Sequence, residues 1–184
     1  MPEVIIIGDG PGGLSAALFL AKNKVNVVVL GHDKTAMHWA LLRNYLGIPE
    51  ITGSDFQTIA RKQVESVGGE IRDEVVRAVV KTADGWSVEL ESGVKLASQH
   101  LILSEGKAPK LAKQIGLEFH DHTGIETDRN ALTSVGAYVV GRSARPGRSQ
   151  AIISAGDGAA AAIDILSKLK GENFVDWDEP PKQA

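Results

Sequence analysis

Three observations predict an α/β fold built on a parallel sheet: a fully apolar strand that runs into a glycine turn, a second apolar strand one helix later, and an alanine-rich helix that follows a last short strand. The first strand is Val4-Ile5-Ile6-Ile7, a continuous apolar run of the kind buried on both faces of a parallel sheet. From Leu14, the apolar residues Leu14, Ala17, Leu18 and Ala21 recur at helical spacing and mark one face of a helix laid against that sheet. Between strand and helix stands Gly8-Asp9-Gly10-Pro11-Gly12-Gly13. In such a turn Gly8 permits the sharp reversal, Gly10 lets a pyrophosphate approach the backbone, and Gly13 lets helix and strand pack closely. The helix N-terminus supplies free amides and the positive end of its dipole to the anion.

Val27-Val28-Val29-Leu30 reads as the second strand and completes a βαβ unit. Asp33 follows Gly13 by 20 residues, the usual separation for an acid that binds the adenosine ribose, with Gly31 and His32 between it and the strand. His32 is the alternative contact for the adenine. Together these elements define a dinucleotide site, which a lone glycine turn would not.

At 184 residues the chain has length for one well-packed core and is short for two full α/β domains. We expect one domain over residues 1–170 and a polar tail over residues 171–184 that frays or docks on a neighbour. A net charge of −3 without a basic stripe argues against nucleic acid as a partner. No apolar stretch has the length of a membrane span, and Met1-Pro2-Glu3 runs directly into a strand, so the expected location is the cytoplasm. The sequence has no cysteine, which removes any disulfide, cysteine-bearing zinc site or redox dithiol from this chain.

In the middle, Asn44-Tyr45-Leu46-Gly47-Ile48-Pro49 is a turn. A helix is expected over about 56–67, capped by Ser54 or Asp55 and ended by Gly68-Gly69. Val75-Val76, Val79-Val80, the run 86–90 and the run 94–96 read as short strands of a meander crossing the main sheet, joined by Asp84-Gly85 and Ser92-Gly93. Leu101-Ile102-Leu103 and Ala137-Tyr138-Val139-Val140 are further strands. His120-Asp121-His122, in the irregular stretch 107–129, reads as a solvated loop and not a metal site. His38 has no supporting spacing. The last helix is expected over about 149–169, with Ile152, Ala155, Ala159, Ala162, Ile163 and Leu166 on its buried side.

The order of these motifs resembles the low-molecular-weight thioredoxin reductases of the pyridine nucleotide-disulfide oxidoreductase superfamily, in a form that keeps only the FAD domain. The resemblance rests on Gly8–Gly13, on residues 44–50 with Thr52-Gly53, on Gly106 after its strand, on Thr127-Asp128 and Thr133-Ser134, and on Ser149-Gln150-Ala151 with 155–158. It implies a three-layer FAD/NAD(P)-binding Rossmann-like domain with a parallel sheet and a crossover β-meander. It further implies that Gly8, Gly10, Pro11, Gly12 and Gly13 hold the FAD pyrophosphate, that Gly31, His32 or Asp33 meets the adenosine, and that Val75 contacts adenine through its backbone. Asn44 would lie beside the flavin, and Gln150 with the amide of Ala151 would face its pyrimidine edge.

The chain departs from that pattern at three places. The nicotinamide-binding insert is missing between Gly106 and Thr127. The family's Ala-Thr-Gly is Ser104-Glu105-Gly106, which puts a carboxylate near the flavin, and its Gly-Asp is Gly141-Arg142, where an arginine cannot accept from a ribityl hydroxyl. The implied function is an FAD-binding oxidoreductase-like flavoprotein with no disulfide reductase activity of its own, served by a redox partner protein and assembled as a homodimer that covers Trp39, Leu41 and Leu42. A non-catalytic FAD-binding module and an NAD(P)-binding protein are the alternatives.

Overall fold

The computed structural model describes residues 1–180, so the last four residues of the expected tail lie outside it. Its centre is a five-stranded sheet in the order β10-β9-β1-β2-β5, formed by β1 (Val4–Ile7), β2 (Val27–Gly31), β5 (Glu70–Asp73), β9 (His100–Leu103) and β10 (Tyr138–Val139), all paired in parallel. Strand alternation sends side chains to two faces. Val4, Ile6, Val27, Val29, Ile102 and Tyr138 face one core, closed by α1 (Pro11–Lys22), α4 (Ala151–Lys170) and Val64 of α2 (Gly53–Ser66). Ile5, Ile7, Val28, Leu30, Leu101 and Leu103 face the other, closed by the antiparallel meander β6 (Val76–Thr82), β7 (Gly85–Leu90) and β8 (Lys95–Ser98) through Val79, Trp86, Val88 and Leu90. Helices, sheet and meander are the three layers expected of the Rossmann-like fold.

Several local expectations are corrected. The helix α2 is capped by Thr52, whose hydroxyl accepts from the Asp55 amide at 3.1 Å, and not by Ser54 or Asp55. The two expected strands at 75–76 and 79–80 are one strand, β6, bent by an irregularity between Val76 and Ala78. Strand β5 at the sheet edge, the small ladder of β3 (Leu41–Leu42) with β4 (Ile51–Thr52), and the short helix α3 (Lys110–Gln114) are additional.

The buried side of α4 is Ser154, Asp157, Gly158, Ala161, Ala162, Ile165 and Leu166; Ile152 is exposed, and Ala155, Ala159 and Ile163 are only partly covered. The cause is its crossing with α1. A Cβ on Gly158 would stand 2.0 Å from the Gly12 carbonyl oxygen, so backbone meets backbone there and the small residues follow. The tail through Asp178 docks on its own chain: Lys22 pairs with Asp176 at 2.9 Å and with Asp178, the Phe174 amide donates to Ser167, and the Phe174 ring packs on the helix-side core.

Candidate functional site

In an open parallel sheet a ligand sits outside the carboxyl ends of the strands, where the strand order reverses direction. Here the chain moves from β1 outward to β2 and β5, then returns to β9 and β10 on the other side of β1. The crevice therefore opens at the end of β1, which is where the glycine turn lies.

The glycines of that turn divide by what surrounds them. Gly8 has φ +101° and a Cβ there would stand 2.1 Å from the Ser104 carbonyl; one on Gly13 would stand 2.0 Å from the Gly8 carbonyl. Gly12 packs on Val140 and Ser154, with Cβ approaches of 2.9 and 3.1 Å, so its role is the helix crossing. Gly10 alone opens outward, its nearest neighbours being the hydroxyls of Thr35 and Ser104 at 3.7 and 3.9 Å from a Cβ position. It is the N-cap of α1 and no side chain caps that helix; Pro11 has no amide to satisfy, and no acid stands in the first turn. An uncapped helix N-terminus behind an open glycine fits an anionic pyrophosphate.

The second half of the edge comes from β9, β10 and α4. The Asn44 amide donates to the Gln150 side-chain oxygen at 2.9 Å, joining the 44–49 turn to the start of α4. Gln150 is the N-cap of α4, makes no cap hydrogen bond, and the first turn holds no acid, so this N-terminus is open as well. Gly141, at φ +71°, has its amide 3.4 Å from a carboxylate oxygen of buried Asp157, which also receives Arg145 Nε at 2.9 and 3.1 Å. Arg142 is exposed and forms no ion pair among the described residues. Ser143 donates to the Gly106 carbonyl at 2.8 Å. A concavity of about 520 Å³ is bounded by Arg43–Pro49 and includes Asn44. A larger one, about 640 Å³, lies between residues 116–127, Ser134 and Ala144-Arg145 and shares no lining residue with the glycine turn.

Two expectations change in detail. Glu105 does not stand free beside a flavin: its carboxylate accepts from the amides of Leu111 and Ala112 at 2.7 and 2.9 Å and ties α3 to the end of β9. Leu42 is buried in the single chain, whereas Trp39 is 82% exposed and Leu41 half exposed. At the adenosine end, Val75 already accepts from the Glu91 amide at 2.9 Å, which leaves its amide available, and His32 is exposed.

Asp33, at φ +54°, is held by His38, whose Nε2 lies 2.8 Å from its carbonyl and 3.0 Å from its carboxylate, while Nδ1 lies 3.0 Å from the Ser54 hydroxyl. His38 is thus part of the site's scaffold, which its spacing gave no sign of. Asp9 has a role that the glycine motif does not announce: it is 4% exposed, and its Oδ2 accepts from the Asp33 amide at 3.0 Å and pairs with Arg61, which in turn holds Asp73 at 2.9 Å. Gln57 donates to the Asp9 carbonyl. Gln57 and Arg61, four residues apart on α2, so brace the glycine turn.

Burial holds the Glu105 carboxyl above the ordinary carboxylate range, opposed by the amides it accepts from. The folded protein then binds a proton there more readily than the unfolded chain, so this stability is present below the unfolded carboxylate range and lost as pH rises through the raised value. Replacing Glu105 by Gln removes the buried charge but sets an NH2 against one of the two amides, a cost that does not change with pH, so the variant's denaturation midpoint relative to wild type is expected to be higher near about pH 8 than near about pH 4. Guanidinium unfolding of both proteins at both pH values checks this; a difference between them that stays constant or falls as pH rises contradicts it.

The crevice at the end of β1, the open glycine and the two uncapped helix N-termini define a dinucleotide-binding protein of the Rossmann type. The chain belongs to the FAD binding domain family, whose model matches residues 3–175. It is similar to thioredoxin reductase 1 of Saccharomyces cerevisiae, at 26% identity over 94% of this chain and 56% of that protein, and to thioredoxin reductase of Peptoclostridium litorale, at 32% identity over 60% and 36%. The chain spans about half the length of the first of these, or less. In fold it matches a thioredoxin reductase from Gloeobacter violaceus with a TM-score of 0.86 at 17% identity, covering 97% of this chain and 99% of that one. The atypical thioredoxin reductase TRi from Desulfovibrio vulgaris Hildenborough gives 0.83 at 17%, covering 94% and 99%. The cofactor is FAD, and the chain is a thioredoxin reductase-like flavoprotein without the nicotinamide domain: residues 104–137, between β9 and β10, carry only α3 and an isolated bridge at His120 and Gly124, apart from the Leu132 bridge to Tyr138.

Proposed function

We propose that this chain is an electron-transferring FAD protein that takes electrons from one partner and passes them to another, with no disulfide reductase activity of its own. The observation that carries the reading is the Asn44–Gln150 contact, which brings the 44–49 turn against the open N-terminus of α4 on the same sheet edge as the open glycine. Bound FAD supplies reversible electron uptake. The chain supplies the rest: the α1 N-terminus and Gly10 hold the pyrophosphate, and the α4 N-terminus with Gln150 favours negative charge at the ring's pyrimidine edge. Arg142, exposed and unpaired among the described residues, adds positive charge where the relatives' pattern has an acid.

Disulfide reduction needs thiol–disulfide exchange, and no cysteine exists here to carry it. The exposed Trp39 and Leu46, beside Arg43 and Asn44, favour a protein surface meeting this edge, a second copy in a cytoplasmic homodimer or the redox partner. Anaerobic assay of the FAD-loaded chain tests the reading. NADPH with thioredoxin should give no turnover, and a separate reductase or chemical reductant should reduce the flavin reversibly. Thioredoxin turnover with this chain alone, or a flavin that no reductant can reach, refutes it.

A further inference from the structure

Gly31 is the last residue of β2, the position from which an acid could point at the adenosine ribose, and it has no side chain. The space beside it is filled from elsewhere. The three atoms nearest to a Cβ on Gly31 all belong to the Asp9 side chain: Cγ at 2.4 Å, Cβ at 2.7 Å and Oδ1 at 2.8 Å. A carboxylate therefore stands at the end of β2, contributed by the second residue of the glycine turn. We propose that Asp9, not Asp33, is the acid that accepts the hydrogen bond from a hydroxyl of the adenosine ribose.

The arrangement of the two oxygens supports this. Oδ2 is occupied by the Asp33 amide and by Arg61, which fix the side chain in place, while Oδ1 has no partner among the described residues although the residue is 4% exposed. That oxygen is not sealed from solvent, since the one buried side-chain atom without a partner among the described residues is Gln57 Oε1, so Asp9 Oδ1 is open to a donor from a ligand. Asp33, by contrast, gives its amide to Asp9 and one carboxylate oxygen to His38, while its side chain is 46% exposed and no hydrogen bond holds its other oxygen toward the end of β2. The positive φ of Asp33 turns the chain so that its amide meets Asp9. Arg61 and Gln57 on α2 are then positioning residues for a ribose contact and not surface pairs.

The inference rests on the FAD reading, and adenosine diphosphate tests it without the flavin. Calorimetry on the flavin-free full chain compares ADP with its 2′-deoxy and 3′-deoxy forms. One deoxy form should bind wild type at least about tenfold more weakly, the cost of one lost hydrogen bond to a charged acceptor. Asp9→Gly should bind ADP more weakly and discriminate by less than about twofold, since the acceptor is gone. Exchanging the two residues, Asp9→Gly with Gly31→Asp, should restore at least about fivefold discrimination, because removing the Asp9 side chain vacates the space a Gly31 side chain needs. If Asp9→Gly does not fold, wild type and the exchanged pair decide. Wild type that binds ADP and both deoxy forms equally, or Asp9→Gly that discriminates as wild type does, overturns the role of Asp9 alone. Wild type that binds neither ADP nor FAD overturns the dinucleotide reading with it.

Discussion

Gly10→Val is expected to give a folded protein that holds no flavin. The position has φ −71° and ψ 178°, which any residue adopts, and a Cβ there meets nothing within 3.7 Å. The protein itself does not need glycine at this point. The added side chain instead fills the place where the pyrophosphate must meet the N-terminus of α1. Affinity for FAD should fall by at least about a hundredfold, the loss of roughly 2.7 kcal/mol or more. Circular dichroism should show native helix content while flavin fluorescence titration shows no uptake. Undiminished flavin in folded Gly10→Val would place the cofactor elsewhere.

Gly158→Val should act through stability. Its Cβ would stand 2.0 Å from the Gly12 carbonyl oxygen and 3.1 Å from the Ala16 amide, both backbone atoms of α1 that cannot step aside singly. Helices α1 and α4 must part along a seam of Ala16, Ala161 and Ala162, all fully buried. The expected cost is about 3 kcal/mol or more, near the upper end for overpacking, which lowers the melting temperature by roughly 6–12 °C for a chain of this size. Gly156, two residues earlier on α4, has open space around it, and Gly156→Val should leave the melting temperature within about 2 °C. Equal effects at the two positions would contradict the close crossing.

The first βαβ unit was legible because its signals are local. A strand buried on both faces has to be continuously apolar, and a turn that approaches an anion has to be glycine, so Val4–Leu30 carried its own reading. Of the face of α4 expected from apolar spacing, Ala162 and Leu166 are buried, but close backbone approach selected Gly158 and Ala161 beside them and left Ile152 outside. Strand β5 is polar because it lies at the sheet edge, and its Glu70 and Arg72 pair with each other at 2.6 Å.

At the site, motif order singles out the glycine turn, Asn44 and Gln150 separately; the hydrogen bond that joins Asn44 to Gln150 spans 106 residues and no spacing announces it. Asp9 was hidden in plain view inside the motif, as its orientation depends on Arg61 and on the empty Cβ position of Gly31, both distant in sequence. The His38 contact to Asp33 depends in the same way on a positive φ that no spacing announces.

The absorbance spectrum of the purified protein, with the flavin identified and quantified after denaturation, tests the central claim most directly. The account predicts a yellow protein carrying noncovalent FAD in equimolar amount, or a colourless one that becomes so on adding FAD. A folded protein that takes up no FAD yet binds NAD(P) at the glycine turn would contradict it.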